Sequence, residues 1–162
     1  MRCVLIALCL AAGCAADAGP PRWHRGPLRL CALEGVDADT LLAAAGAWEP
    51  YTLGMAMVDG GCDVEVLWGR PISTGATQVR LDDGAIVFAR IWLHRDKPIG
   101  DAADDPDALD LQTILTHEVG HALGIEHSDD PRAVMYEHVL PGEVRRELTA
   151  DDVDAVHALY AW

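Results

Sequence analysis

In the stretch His117-Glu118-Val119-Gly120-His121-Ala122-Leu123-Gly124-Ile125-Glu126-His127, three histidines, a glutamate and a glycine stand at offsets that suit metal chemistry. On a helix, side chains four apart lie one above the other, so His117 and His121 point the same way and can grip one divalent ion. Glu118 is rotated about 100° from His117 at about 3.6 residues per turn. It therefore sits beside the ion, where it can take a proton from a metal-bound water, and is not itself a ligand. Gly124 tolerates the left-handed conformation that ends a helix. The chain can then turn beneath the ion and return His127 as a third ligand. Three protein ligands leave the fourth position of a tetrahedral zinc open, the arrangement of a catalytic site. A His-Glu-x-x-His alone also arises by chance on an amphipathic helix. Gly124, His127 and Met135 in register narrow the reading to a zinc site.

The same residues carry a family resemblance. Histidines at this spacing followed by a methionine resemble the metzincin metalloproteases. Ser128 directly after the third histidine, and the pair Met135-Tyr136, resemble the matrixin branch. The tail Leu148–Tyr160 is similar to the last helix of that family. The likeness is strongest over about residues 110–160 and looser over 28–93. It implies an α+β, metzincin-like single catalytic domain. A twisted mixed sheet with an antiparallel edge strand would pack on two long helices, with a C-terminal helix after the methionine turn. It also implies Met135 as a packed floor beneath the histidines and Asp151 or Asp152 as a brace for the methionine turn. Glu137 stands where the family usually has proline, in a wall of its main specificity pocket, which leaves side-chain preference open. The Pro-Arg-Cys-Gly latch of many matrixins is not matched around Cys31.

The elements that must position these residues come from the rest of the chain. Its 162 residues, 51% hydrophobic and 23% charged, suit one folded domain. A net charge of −14 argues against a nucleic-acid partner, which needs clustered Lys and Arg. Residues 1–18 have the form of an export signal, with Arg2 before a short apolar run. Two processing alternatives stand. Gly13-Cys14 resembles a bacterial lipobox, giving a membrane-anchored lipoprotein, whereas Ala16-Asp17-Ala18 suits ordinary cleavage and a soluble periplasmic or extracellular protein. Residues 19–27 are expected to be a tether, and 28–162 the catalytic domain. In an oxidising compartment Cys31 and Cys62 would bridge by default, two free thiols being the rival reading. The resemblance places their strands side by side.

Strands are predicted at Leu28–Leu33, Leu53–Val58, Asp63–Trp68, Gly75–Leu81 and Ala85–Leu93, the last two flanking an Asp82-Asp83-Gly84 hairpin turn. Gly75–Leu81 is the candidate edge strand for holding a peptide, with a plain surface hairpin as the alternative. A helix over about Asp39–Trp48, capped by Asp37 or Asp39, would bury Leu41, Leu42, Ala45 and Trp48. Asp107 or Asp110 would open the metal helix. Thr149 and Asp152 come close to a capping box ahead of a stripe of Val153, Val156 and Tyr160.

The function so implied is a zinc-dependent endopeptidase, with His117, His121 and His127 as ligands to one catalytic Zn2+ and Glu118 as general base. Its partner would be a protein or peptide substrate, and the chain is expected to be a monomer. The second zinc of many matrixins is not expected, since His94 is the one histidine between residues 25 and 116. Asp82, Asp83, Asp101, Asp104, Asp105 and Asp107 offer oxygen ligands for Ca2+ but match no calcium-loop pattern, and a solvated acidic loop is the preferred reading. The alternative function is a catalytically silent zinc- or peptide-binding lipoprotein of the same fold.

Overall fold

Short apolar runs pair into one five-stranded sheet in a computed structural model that describes residues 19–160. The strands are β1 (Leu28–Ala32), β2 (Met55–Met57), β3 (Val64–Gly69), β4 (Gly75–Asp82) and β5 (Ala85–His94). Their order is β2-β1-β3-β5-β4, parallel throughout except for β4, which runs antiparallel to β5 at the edge. The hairpin between them turns on Asp83 and Gly84, both at positive φ, as the Asp-Gly pair predicts. Cys31 and Cys62 form a disulfide with Cα atoms 5.7 Å apart. The expected export signal, with Cys14 and both processing alternatives, falls in residues 1–18, outside the described residues.

Helices α1 (Ala38–Gly46) and α2 (Leu111–Leu123) lie on one face of the sheet. Asp37, not Asp39, caps α1, accepting from the Thr40 amide at 2.7 Å. The stripe of α1 differs from expectation at one position. Leu41 and Ala45 are buried, but Leu42 points to solvent at 45% exposure. A helix turns about 100° per residue, so neighbours at 41 and 42 cannot both face a narrow contact. The helix also ends before Trp48. That side chain is nevertheless fully buried, and its Nε1 donates to the Thr116 carbonyl of α2 at 2.9 Å. The opposite face of the sheet carries Arg80, Phe88, Arg90 and Trp92 in stacked cation–π contacts.

A short parallel pair, β6 (Ile99–Gly100) with β7 (Leu109–Asp110), closes the acidic loop and leads into α2. Of the two proposed caps, Asp110 does the capping. It is completely buried and accepts from the amide and hydroxyl of Thr113, from the Ala102 amide and from Arg146. Helix α3 (Ala150–Tyr160) begins on the capping pair of Thr149 and Asp152. Its inward stripe is Asp152, Val156, Leu159 and Tyr160, while Val153, expected inside, is only half-buried.

The stretch 19–27, expected to be a tether, contributes a side chain to the packing. Trp23 is 1% exposed and donates from Nε1 to the Ala122 carbonyl at 2.8 Å, at the end of α2. Tyr160 Oη donates to the Leu123 carbonyl and accepts from the Trp23 amide. The packed unit therefore begins before Leu28.

Asp63, just before β3, is buried and takes hydrogen bonds from Arg29 Nε, the Arg29 amide and Arg25. The Arg29 side chain, helped by Arg25, brings it to about 2 despite burial. At Asp110 burial acts upward, but bonds from Arg146, Thr113 and Ala102 outweigh it and the result is also about 2. Both carboxyls are thus depressed in the folded state. Their contribution is complete above the ordinary value of 3.8 and is lost as pH falls toward 2. Stability is expected to fall by about 2 kcal/mol for each over that window. Urea titrations across pH should show a shallower acid loss in Asp63→Asn. An acid limb identical to that of the native chain would refute the assignment.

Gly120 lies where α2 crosses Trp48 and Met135. A Cβ there would stand 2.3 Å from Met135 Sδ and 2.9 Å from Trp48 Cζ2. Gly120→Ala is therefore expected to lose about 1 kcal/mol or more through overpacking, despite alanine's better helix propensity. Urea denaturation measures it, and a gain in stability would contradict the contact.

Candidate metal centre

Asp110 fixes the start of α2 and Gly124 its end, so His117 and His121 project from one face, one turn apart. Gly124 is left-handed at φ 97°, and the Ile125 amide donates back to the Gly120 carbonyl at 3.0 Å. The chain reverses there and brings His127 to the same place. The three ring nitrogens available as ligands all lie within 4.8 Å of one another. His121 Nε2 and His127 Nε2 are 3.1 Å apart. His127 is exposed, so the cluster opens to solvent on that side.

The tautomers follow from the backbone. His117 Nδ1 is 2.8 Å from the Val134 carbonyl, and His121 Nδ1 is 2.8 Å from the Ile125 carbonyl. A carbonyl only accepts, so each Nδ1 carries the proton and each Nε2 presents a lone pair to the cluster. Burial, with the nearby His121 ring acting the same way, lowers His117 to about 3. Burial also lowers His121 to about 4. Both rings are neutral near pH 7, the form that binds metal.

This donor set fits zinc. Three neutral imidazoles are borderline ligands of the kind zinc takes. Tetrahedral Zn–N bonds of about 2.0–2.1 Å place the nitrogens roughly 3.3 Å apart, close to the His121–His127 spacing. Without a cation or proton between them, two lone pairs at that distance would repel. Among the described residues this triad is the group whose donor atoms converge so. The carboxylates considered for calcium do not. Asp82 and Asp83 sit at the β4–β5 turn, Asp101 is paired with Arg146, and the Asp105 side chain accepts from the Asp107 amide within its own loop.

Glu118 is 3% exposed, on the side of α2 that faces β4. Burial pushes it up to about 7, opposed by a hydrogen bond from Thr77. A divalent cation nearby would draw it down again.

The methionine turn packs against α2. Met135 is 1% exposed and lies against Gly120. Both candidate braces act. Asp152 accepts from the amides of Val134 and Met135 at 3.0 and 2.9 Å, and Asp151 accepts from the Ser128 hydroxyl. Ser128 and Tyr136 bridge across the base of the turn. Arg145, which sequence reading passed over, donates to the Ala133 and His138 carbonyls and lies over the Tyr136 ring. Gly75 and Thr77, which face Glu118, were also missed. The alternation of β4 could have flagged them as inward-facing, but not what they meet.

Comparison with known proteins gives the family. The chain is 41% identical over 63 residues to Metalloendoproteinase 1 of Glycine max, a match covering 38% of this chain and 21% of that protein. It is 47% identical over 53 residues to Metalloendoproteinase 1-MMP of Arabidopsis thaliana, covering 33% and 15%. It is 44% identical over 54 residues to karilysin of Tannerella forsythia, covering 33% and 11%. The matched stretch thus spans about a fifth or less of the length of these relatives. The matrixin profile matches residues 49–161, more than half of the chain, and the chain belongs to the matrixin family.

Proposed function

We propose that this chain is a zinc-dependent endopeptidase in which His117, His121 and His127 hold the ion and Glu118 is the general base. The observation that carries this reading is the convergence of three imidazoles, two with their lone pairs fixed inward by backbone carbonyls. Zinc bound there supplies Lewis acidity, which activates water and polarises a carbonyl. Glu118 takes the proton of the attacking water on a carboxylate oxygen and returns it to the amine as the C–N bond breaks. The substrate main chain pairs with the free edge of β4 as an added strand. Residues 1–18 direct export, after which the chain is held through a lipid on Cys14 or released. No helix among the described residues is long and apolar enough to cross a membrane.

Two measurements test this. Purified protein is expected to carry one zinc per chain, and a chelator is expected to abolish cleavage of a fluorogenic peptide, with zinc restoring it. Glu118→Gln is expected to keep the zinc and lose activity by about 10²-fold or more, the usual contribution of a general base. Native-like cleavage by that variant would overturn the role of Glu118. Stoichiometric zinc without any cleavage would favour the silent binding protein.

A further inference from the structure

Glu118 is held from outside its own helix. Alternate residues of a strand face the same side, and Gly75 and Thr77 of β4 both face α2. Thr77 Oγ1 lies 2.6 Å from Glu118 Oε2 and 3.1 Å from the Glu118 carbonyl oxygen. A hydroxyl has one proton to give, and the shorter contact, to the carboxyl oxygen, is the stronger. Gly75 closes the other side. A Cβ there would stand 2.4 Å from Glu118 Oε1 and 2.8 Å from Cδ. Gly75 is not among the glycines at positive φ, so what requires glycine here is space and not backbone conformation. The carboxylate occupies the volume that any larger residue at 75 would fill.

We propose that Gly75 and Thr77 form a seat for the Glu118 carboxylate, with Thr77 a positioning residue whose hydroxyl fixes Oε2. The proposal rests on the peptidase reading of Glu118. It makes the edge strand do two tasks. Its free backbone edge takes the substrate, and its inward side chains set the angle of the base. A carboxylate on a flexible stem has several rotamers, and a fixed oxygen selects one of them before substrate arrives. A plain strand threonine would instead contribute only its methyl packing, which valine reproduces.

The test compares native protein, Thr77→Val and Thr77→Ser, each loaded with zinc. Removing one hydrogen bond to a charged group is expected to lower kcat of Thr77→Val about tenfold. KM, zinc content and the urea midpoint should stay unchanged. Thr77→Ser, which keeps the hydroxyl, should restore kcat. A second readout needs no turnover. In metal-free protein with ¹³C-labelled glutamate, the Glu118 carboxyl resonance is assigned by its loss in Glu118→Gln. It should move in Thr77→Val and hold in Thr77→Ser. Unchanged kcat in Thr77→Val, a loss expressed in KM or zinc content, or equal impairment of both variants would overturn the positioning role. An unmoved resonance would overturn the seat itself. Absence of chelator-sensitive cleavage in the native chain would instead sink the peptidase reading, and the catalytic meaning of the seat with it, while the resonance still reports the contact.

Discussion

The centre depends on one left-handed residue. At Gly124 the chain leaves α2 at φ 97°, a conformation that costs a residue with a Cβ roughly 1–2 kcal/mol. Packing excludes a side chain there as well, because a Cβ would come within 2.3 Å of the Pro21 carbonyl oxygen. The reversal has two consequences. It lays the Ile125 carbonyl against His121 Nδ1, fixing that ring's tautomer, and it carries His127 back to the other two imidazoles. One backbone conformation thus sets both the position of His127 and the orientation of the His121 ring.

Around this turn, short acidic side chains hold the loops by binding main-chain amides. Asp110 ties the entry of α2 to the acidic loop through Ala102, and to the segment before α3 through Arg146. Asp152 joins the start of α3 to Val134 and Met135. Both carboxylates are fully buried, and each is satisfied by several donors, the condition under which a buried charge is tolerated. The negative charge of the chain is therefore partly structural. The path from Asp152 to Val134 and Met135, and from the Val134 carbonyl to His117, couples the last helix to the histidine cluster.

Sheet and helix contribute different things to the centre. Helix α2 supplies two histidines and the glutamate at fixed angular offsets, which local geometry alone can guarantee. The edge strand supplies what a helix cannot, an open row of backbone groups beside a narrow gap. Gly75 sets the width of that gap and Thr77 its polarity. Trp48, reaching from beyond α1 to the Thr116 carbonyl, and Met135, packed on Gly120, fix the depth at which α2 lies.

Sequence by itself determined whatever depends on neighbours in the chain. Spacings of four and six place the histidines, Asp83-Gly84 forms the hairpin, and Thr149 with Asp152 starts the last helix, because each answers to the periodicity of one element or the chemistry of one turn. Where two local answers were equally good, the structure chose. It took Asp37 over Asp39 and Asp110 over Asp107, since a cap needs both the helix amide and a suitable place in the packing. Leu42 turned outward and Val153 stayed half-buried because hydrophobicity does not say how wide the facing surface is. Trp23 in the core, Asp63 between Arg25 and Arg29, and Thr77 against Glu118 join residues separated by 34 to 99 positions. Only tertiary structure decided these contacts, because nothing in local propensity measures the distance between two segments until both have been packed.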